Sequence, residues 1–206
     1  MLALSYAMSS SARVVIGRMV GTPVEAAARW FEKRYGRAAV ADVCVKLAPE
    51  WRSLVDPHAE AFGILGARWY PYGFLENFIV TARGVVHAEE DPFIRDIAYA
   101  GIDGSMSTGM RAMARWFKSP RDFAEASRES WRLFHDTGVM SVPSLEPKSV
   151  RRRITDWQGH NVTVCKLVGY VFERSFSKTG VRSVRVRREE CVSWGRDACT
   201  FHIAWD

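Results

Sequence analysis

Glu190-Cys191-Val192-Ser193-Trp194-Gly195-Arg196-Asp197-Ala198-Cys199-Thr200-Phe201-His202-Ile203-Ala204-Trp205 is the stretch whose reading decides the fold. From Cys199 onward the pattern has period two. Cys199, Phe201, Ile203 and Trp205 share one face, and Thr200, His202 and Ala204 share the other. That alternation predicts a strand with one buried side. Ser193–Asp197 reads as a turn, which folds Cys191 back beside Cys199. Two uses for such a pair stay open here: small apolar core residues, or part of a metal site.

Working outward, Val181–Glu190 also alternates, with Val184 and Val186 opposite Arg185 and Arg187. Cys165–Phe176 instead has helical spacing, with Val164, Leu167, Val168, Val171 and Phe172 on one face. Ser149–Trp157 reads as extended, and Val139–Val142 as a short strand before Pro143.

Before Gly138 the grammar is helical. Thr22-Pro23-Val24-Glu25 reads as a capping box with proline in the first turn. Phe74, Leu75, Phe78, Ile79, Ala82, Val85 and Val86 trace a stripe at three-four spacing after Tyr70-Pro71. Asp91-Pro92 opens the next helix, with Ile94, Ile97, Ala98 and Ile102 facing inward. Gly101, Gly104 and Gly109 suit close helix packing or a ligand against bare backbone. Met110–Phe117 resumes the helix, and Ser119-Pro120-Arg121-Asp122 caps another. The expected class is α+β, an N-terminal helical layer packed on a C-terminal antiparallel sheet. Residues 1–20 are expected to form an extension, and 21–206 a single domain.

Composition narrows the class further. With 206 residues, 48% of them apolar, the chain can bury a sizeable core. No apolar run reaches the ~18 residues that span a bilayer. No secretory pattern precedes the four cysteines, so a cytoplasmic setting with free thiols is expected. Net charge is +6, concentrated at Lys148–Arg153 and Arg182–Arg188. Read as paired strands, these form a basic sheet face. Neighbouring Glu146, Asp156, Glu189 and Glu190 favour a solvated face over a nucleic-acid site. His135-Asp136 near Ser130 lacks a nucleophile elbow, and no glycine-rich nucleotide motif occurs, so no catalytic residues are assigned.

Cys165 heading a helix with Gly169-Tyr170, then Glu189-Glu190-Cys191, Gly195 and Cys199-Thr200-Phe201, resembles the 4-vinyl reductase domain. That domain shares the NO-signalling and Golgi-transport ligand-binding fold with haem-NO-binding domains and TRAPP trafficking subunits. The layout with Trp69-Tyr70-Pro71 and Trp131–Gly138 is also similar to a paralogous family expanded in myxobacteria.

The resemblance implies a metal held by Cys165, Cys191 and Cys199 with a carboxylate, and zinc is the ion it implies. Arg188 stands three before Cys191, where relatives place that carboxylate, so Glu189 becomes the candidate. Haem is not expected. Tyr170-Val171-Phe172-Glu173-Arg174 has Phe172 where the haem relatives' propionate grip has serine. The expected function is a non-catalytic domain that binds an apolar, aromatic or lipid-like small molecule, works as a homodimer and signals to a separate output protein. Phe78, Trp116, Phe117, Trp131, Phe134 and Phe172 are the expected ligand contacts. The alternatives are an adaptor with a filled core or an accessory to a tetrapyrrole enzyme.

Overall fold

Alternation in the C-terminal third becomes a four-stranded antiparallel sheet. Its strands are β3 (Val139–Glu146), β4 (Ser149–Thr155), β5 (Arg185–Glu190) and β6 (Cys199–Ala204), in the order β3-β4-β6-β5. The two basic strands therefore do not pair with each other. Each pairs with β6, which lies between them. Register sends Val150, Arg152 and Ile154 of β4 inward beside Cys199, Phe201 and Ile203 of β6, all nearly inaccessible. β3 runs longer than the expected Val139–Val142, because a bulge between Ser141 and Ser144 accommodates Pro143.

The computed structural model describes residues 17–105 and 119–206. A small second sheet pairs β1 (Arg18–Val20) with β2 (Trp69–Pro71). The domain therefore includes Arg18–Val20, inside the stretch expected as an extension. Arg18 is pinned further by an ion pair of 2.7 Å to Asp136.

The helices are α1 (Gly21–Lys46), α2 (Tyr72–Val85), α3 (Glu90–Ser105), α4 (Pro120–Phe134) and α5 (Val162–Ser177), with 3-10 turns at Pro49–Leu54 and Glu60–Gly63. α1 breaks at Gly36, whose φ of 81° is open to glycine, and then resumes to bury Val40, Val43 and Cys44. The Thr22–Glu25 box does not form: Thr22 Oγ1 donates to the Gly66 carbonyl, and Glu25 pairs with Arg29. At α4 the expected cap is present, with Ser119 Oγ accepting from the Asp122 N–H at 3.2 Å. Asn161 caps α5 in the same way, accepting from Val164 at 2.8 Å.

α5 lies on the inner sheet face, α3 packs on α5, and α1 packs on α3. Gly101 and Gly104 are where α3 meets α1. A Cβ on Gly104 would stand 2.7 Å from the Ala26 Cβ, so these glycines serve close helix contact. Gly109 and the helix expected over Met110–Phe117 lie outside the described residues, and so do Trp116 and Phe117. No described helix is long and apolar enough to cross a membrane.

Candidate cavity and thiol cluster

Helical stripes and sheet face do not close completely on each other. Between α2, α3, α4, α5 and the inner faces of β3 and β4 lies a cavity of about 220 Å³. It exceeds the ~150 Å³ that admits benzene and falls below the ~300–1,000 Å³ of common ligand pockets. Of the expected ligand contacts, Phe78, Trp131, Phe134 and Phe172 line it, supplied by α2, α4 and α5. Leu75, Ile97, Met140 and Val168 extend the same apolar wall.

Polar groups in the wall are few. His135, just after α4, is buried, and its Nδ1 lies 2.7 Å from the Tyr72 hydroxyl. Its ring stacks on Trp131 at 3.7 Å between centroids, with Trp157 edge-on. Burial pulls the imidazole down to about 3, so it is neutral at physiological pH. The same burial raises the Tyr72 phenol.

Arg152 is 2% exposed, with its guanidinium over the rings of Phe123, Phe172 and Phe176 at 5.5, 4.7 and 4.9 Å. Burial lowers it to about 9, which leaves it charged at neutral pH. Lys178, the other cation in the wall, is paired with Asp103 at 2.7 Å.

The opening question about the cysteines has a geometric answer. Sγ atoms of Cys165 and Cys199 are 3.6 Å apart, those of Cys191 and Cys165 3.7 Å, and those of Cys199 and Cys191 3.9 Å. His160 Nε2 is 3.6 Å from Cys191 Sγ, and the four ligand atoms lie within 4.8 Å of one another. Metal–sulfur bonds of about 2.3 Å in a tetrahedron place sulfurs about 3.8 Å apart, so the spacing matches four-coordination.

The fourth member is His160 in place of the expected Glu189. Strand β5 turns Glu189 to the outer face, where Arg151 and Arg187 hold it at 3.0 and 2.7 Å. Hydrogen bonding within the cluster raises the Cys165 thiol and lowers Cys199 to about 4, with Cys165 as donor and Cys199 as thiolate. Arg188 Nη1 lies 3.9 Å from Cys191 Sγ. Three thiolates and a neutral imidazole around a divalent ion would carry net negative charge, so this guanidinium complements the set.

The outer sheet face carries the basic stretches. Arg151 pairs with Glu189, and Arg153 with Glu190 at 3.1 Å. Thr200 Oγ1 donates to the same Glu190 at 2.7 Å. Much of this positive charge is thus answered within the face.

Tyr170 and Arg174 lie on α5, and Arg174 is engaged by Asp103, so they do not form a grip directed at the cavity.

No sequence family and no curated protein matches the chain. Solved structures do match its fold. The Fe(II) unliganded H-NOX protein from K. algicida superposes with a TM-score of 0.69 at 10% identity, over 91% of this chain and 97% of that one. An H-NOX protein from S. oneidensis in the Fe(II)NO ligation state gives 0.66 at 13% identity, over 91% and 99%. An oxygen-binding H-NOX domain related to soluble guanylate cyclases gives 0.61 at 12% identity, over 91% and 95%.

At these identities the likeness shows the fold. The fold is that of the haem-NO-binding part of the expected resemblance; the 4-vinyl reductase and trafficking-subunit parts are not shown. Other matching structures concern porphyrin distortion with heme redox potential, and heme distortion in the H-NOX family. The expectation that set haem aside and put zinc in its place is overturned by these neighbours.

The cavity's donor set fits a haem in kind. His135 is the imidazole among the described lining residues, and Arg152 is a cation of the kind that suits a propionate, while Lys178 is held by Asp103. A macrocycle would need the helices and sheet to stand farther apart than the present volume allows.

Proposed function

We propose that the chain is a non-catalytic small-molecule sensing domain whose ligand occupies the cavity between helical layer and sheet. The observation that supports this reading is the cavity itself: an apolar space between the helices and the sheet, with one imidazole and one buried cation among its described lining residues. A core that served only for stability would be filled, since interiors pack to crystal-like density.

Haem is the first ligand to test. When bound it would supply an iron site for a diatomic gas. The chain's own residues would do the rest. An imidazole that donates from Nδ1–H to the Tyr72 oxygen keeps its Nε2 lone pair available for a metal. Trp131 and Trp157 hold that ring in orientation and exclude water. Filling the cavity favours the arrangement with layers apart, and a partner that reads this arrangement receives the signal. The partner is a separate output protein or a second copy of the chain.

The four-residue cluster has a different part in this reading. Cys165, Cys191, Cys199 and His160 would hold a thiophilic metal ion, and by doing so would tie the β5–β6 connection to the start of α5.

Titration of purified protein with hemin tests the haem assignment. One equivalent should give a sharp Soret band that His135→Ala shifts or abolishes. A Soret band unchanged by His135→Ala refutes the axial assignment. No saturable binding of hemin or of any apolar probe refutes the sensing reading.

A further inference from the structure

β4 is joined to α5 by a short link, Asp156-Trp157-Gln158-Gly159-His160-Asn161. Asp156 at φ 51° and Gly159 at φ 72° put two left-handed residues into it, and the His160 N–H donates to the Trp157 carbonyl at 3.4 Å. Its two ring side chains serve different sites. His160 Nε2 belongs to the thiol cluster, 3.6 Å from Cys191 Sγ. Trp157 is buried, with its indole against Tyr72, Trp131 and His135 at 5.8, 5.3 and 6.3 Å between centroids. Trp131 and His135 line the cavity, and Trp157 stands behind them. The two rings of the link also meet each other, at 5.1 Å.

We infer that the thiol cluster is an effector site for the cavity: a thiophilic divalent ion held by Cys165, Cys191, Cys199 and His160 tightens binding in the cavity, with Trp157 as the positioning residue between the two. This rests on the reading of the cavity as a ligand site and of the cluster as a metal site, and it names the regulation that joins them.

Two further observations carry it. First, the layer around Trp157 has no slack. A Cβ on Gly138 would stand 3.1 Å from Trp131 Nε1 and 3.4 Å from Trp157 Cβ, and one on Gly159 would stand 3.2 Å from Tyr72 Cδ2. Interiors packed this closely pass a displacement on to their neighbours. Second, the His135 ring is held by stacking on Trp131, by the Tyr72 hydroxyl and by the edge-on indole of Trp157, and two of those three groups also pack on the link itself. An ion on His160 Nε2 pins the link, and with it the indole. A ligand that seats against His135 must order the same rings. Where the ion has already ordered them, the second binding event costs less conformational entropy. Linkage makes the effect reciprocal: the ligand tightens the ion by the same factor.

Titration of the full chain with hemin and with the neutral fluorophore N-phenyl-1-naphthylamine, each with and without Co(II), tests this. Co(II) should tighten whichever probe binds by at least about fivefold, and that probe should tighten Co(II), read from its ligand-field bands, by the same factor. Amide exchange at residues 157–160 should slow when Co(II) binds; unchanged exchange overturns the pinning. Trp157→Leu should still bind each singly, the cavity probe more weakly, and lose most of the coupling. Trp157→Phe, which keeps a ring there, should retain part of it. In His160→Ala, adding Co(II) should leave probe affinity where it was. Should the leucine variant fail to fold, the phenylalanine variant and the exchange measurement decide. Independent binding of ion and probe overturns the inference and leaves both sites standing. Coupling undiminished in the Trp157 variants overturns the part given to Trp157. Failure of Co(II) to bind overturns the inference together with the metal reading of the cluster, and failure of both probes overturns it together with the cavity reading.

Discussion

Lowering the pH from about 7.5 to about 5 should destabilise the protein by about 2 kcal/mol through His135 alone. In the folded chain this imidazole stays neutral down to about 3, against an ordinary value of 6.5, because it is enclosed by Trp131, Trp157 and Tyr72. Below the ordinary value the unfolded chain takes up a proton that the folded chain refuses. Stability is therefore complete above the unfolded value and falls as the pH drops beneath it. Between pH 6.5 and 5 this amounts to roughly 1.5 pH units at ~1.4 kcal/mol each.

Glu32, Asp103 and Glu189 act elsewhere on the scale. Each is held below the ordinary carboxylate range. Their contributions are present above that range and are lost as the pH falls through it, so they add little above about pH 5; the Cys199 thiolate adds a slope of its own there, common to wild type and variant, which the comparison cancels. The assay is urea unfolding of the apoprotein at several pH values, with His135→Gln as the comparison. Wild type should lose on the order of 1 M in midpoint relative to the variant's change over the same window. Equal slopes in wild type and variant would refute the placement of His135 in a dry site.

Three other outcomes follow from the geometry. Elemental analysis of protein purified without chelator should find one tightly held thiophilic metal ion per chain. Cys191→Ser and His160→Ala should both lose it, with melting temperature lowered in each; retention of the ion by both variants would refute the four-ligand cluster. Gly104→Val should destabilise by about 1–3 kcal/mol in urea unfolding, because its Cβ would stand 2.7 Å from the Ala26 Cβ at the α1–α3 contact. Ser119→Ala should cost about 1 kcal/mol by the same measurement, through the lost cap at Asp122.

Much of the architecture was legible because burial imposes its period on the sequence. The α2 stripe and the face Cys199-Phe201-Ile203-Trp205 stand out in the sequence; that face is buried, and so are Phe74, Leu75, Phe78, Ile79 and Ala82 of the stripe, while Val85 and Val86 are half-buried. Strand order was less accessible. Two basic strands look like natural partners, yet β6 is the apolar strand and takes the central place, leaving the charged ones to flank it.

His160 escaped notice for a local reason. It precedes the cap of α5 by one residue, and Gly159, at φ 72°, turns the chain so that the imidazole meets the Cys191 thiol just after the distant strand β5. No spacing rule in the sequence encodes that turn. Glu189 seemed the better ligand because it alternates with Cys191. A bulge between Arg188 and Glu190 breaks that alternation.

Arg152 was hidden by its neighbours. In a run of three arginines nothing marks the middle one as buried, and only the register against Phe201 turns it inward. Tyr170–Arg174 lies on α5, while the imidazole and the cation of the cavity come from the end of α4 and from β4, so that stretch of sequence gives no sign of them.

Native mass spectrometry of the freshly purified chain, alone and after incubation with hemin and with apolar probes, tests the sensing account most directly. The account requires a one-to-one adduct, retained through desalting and weakened by His135→Ala. A chain that keeps its bare mass under every one of these conditions would contradict it.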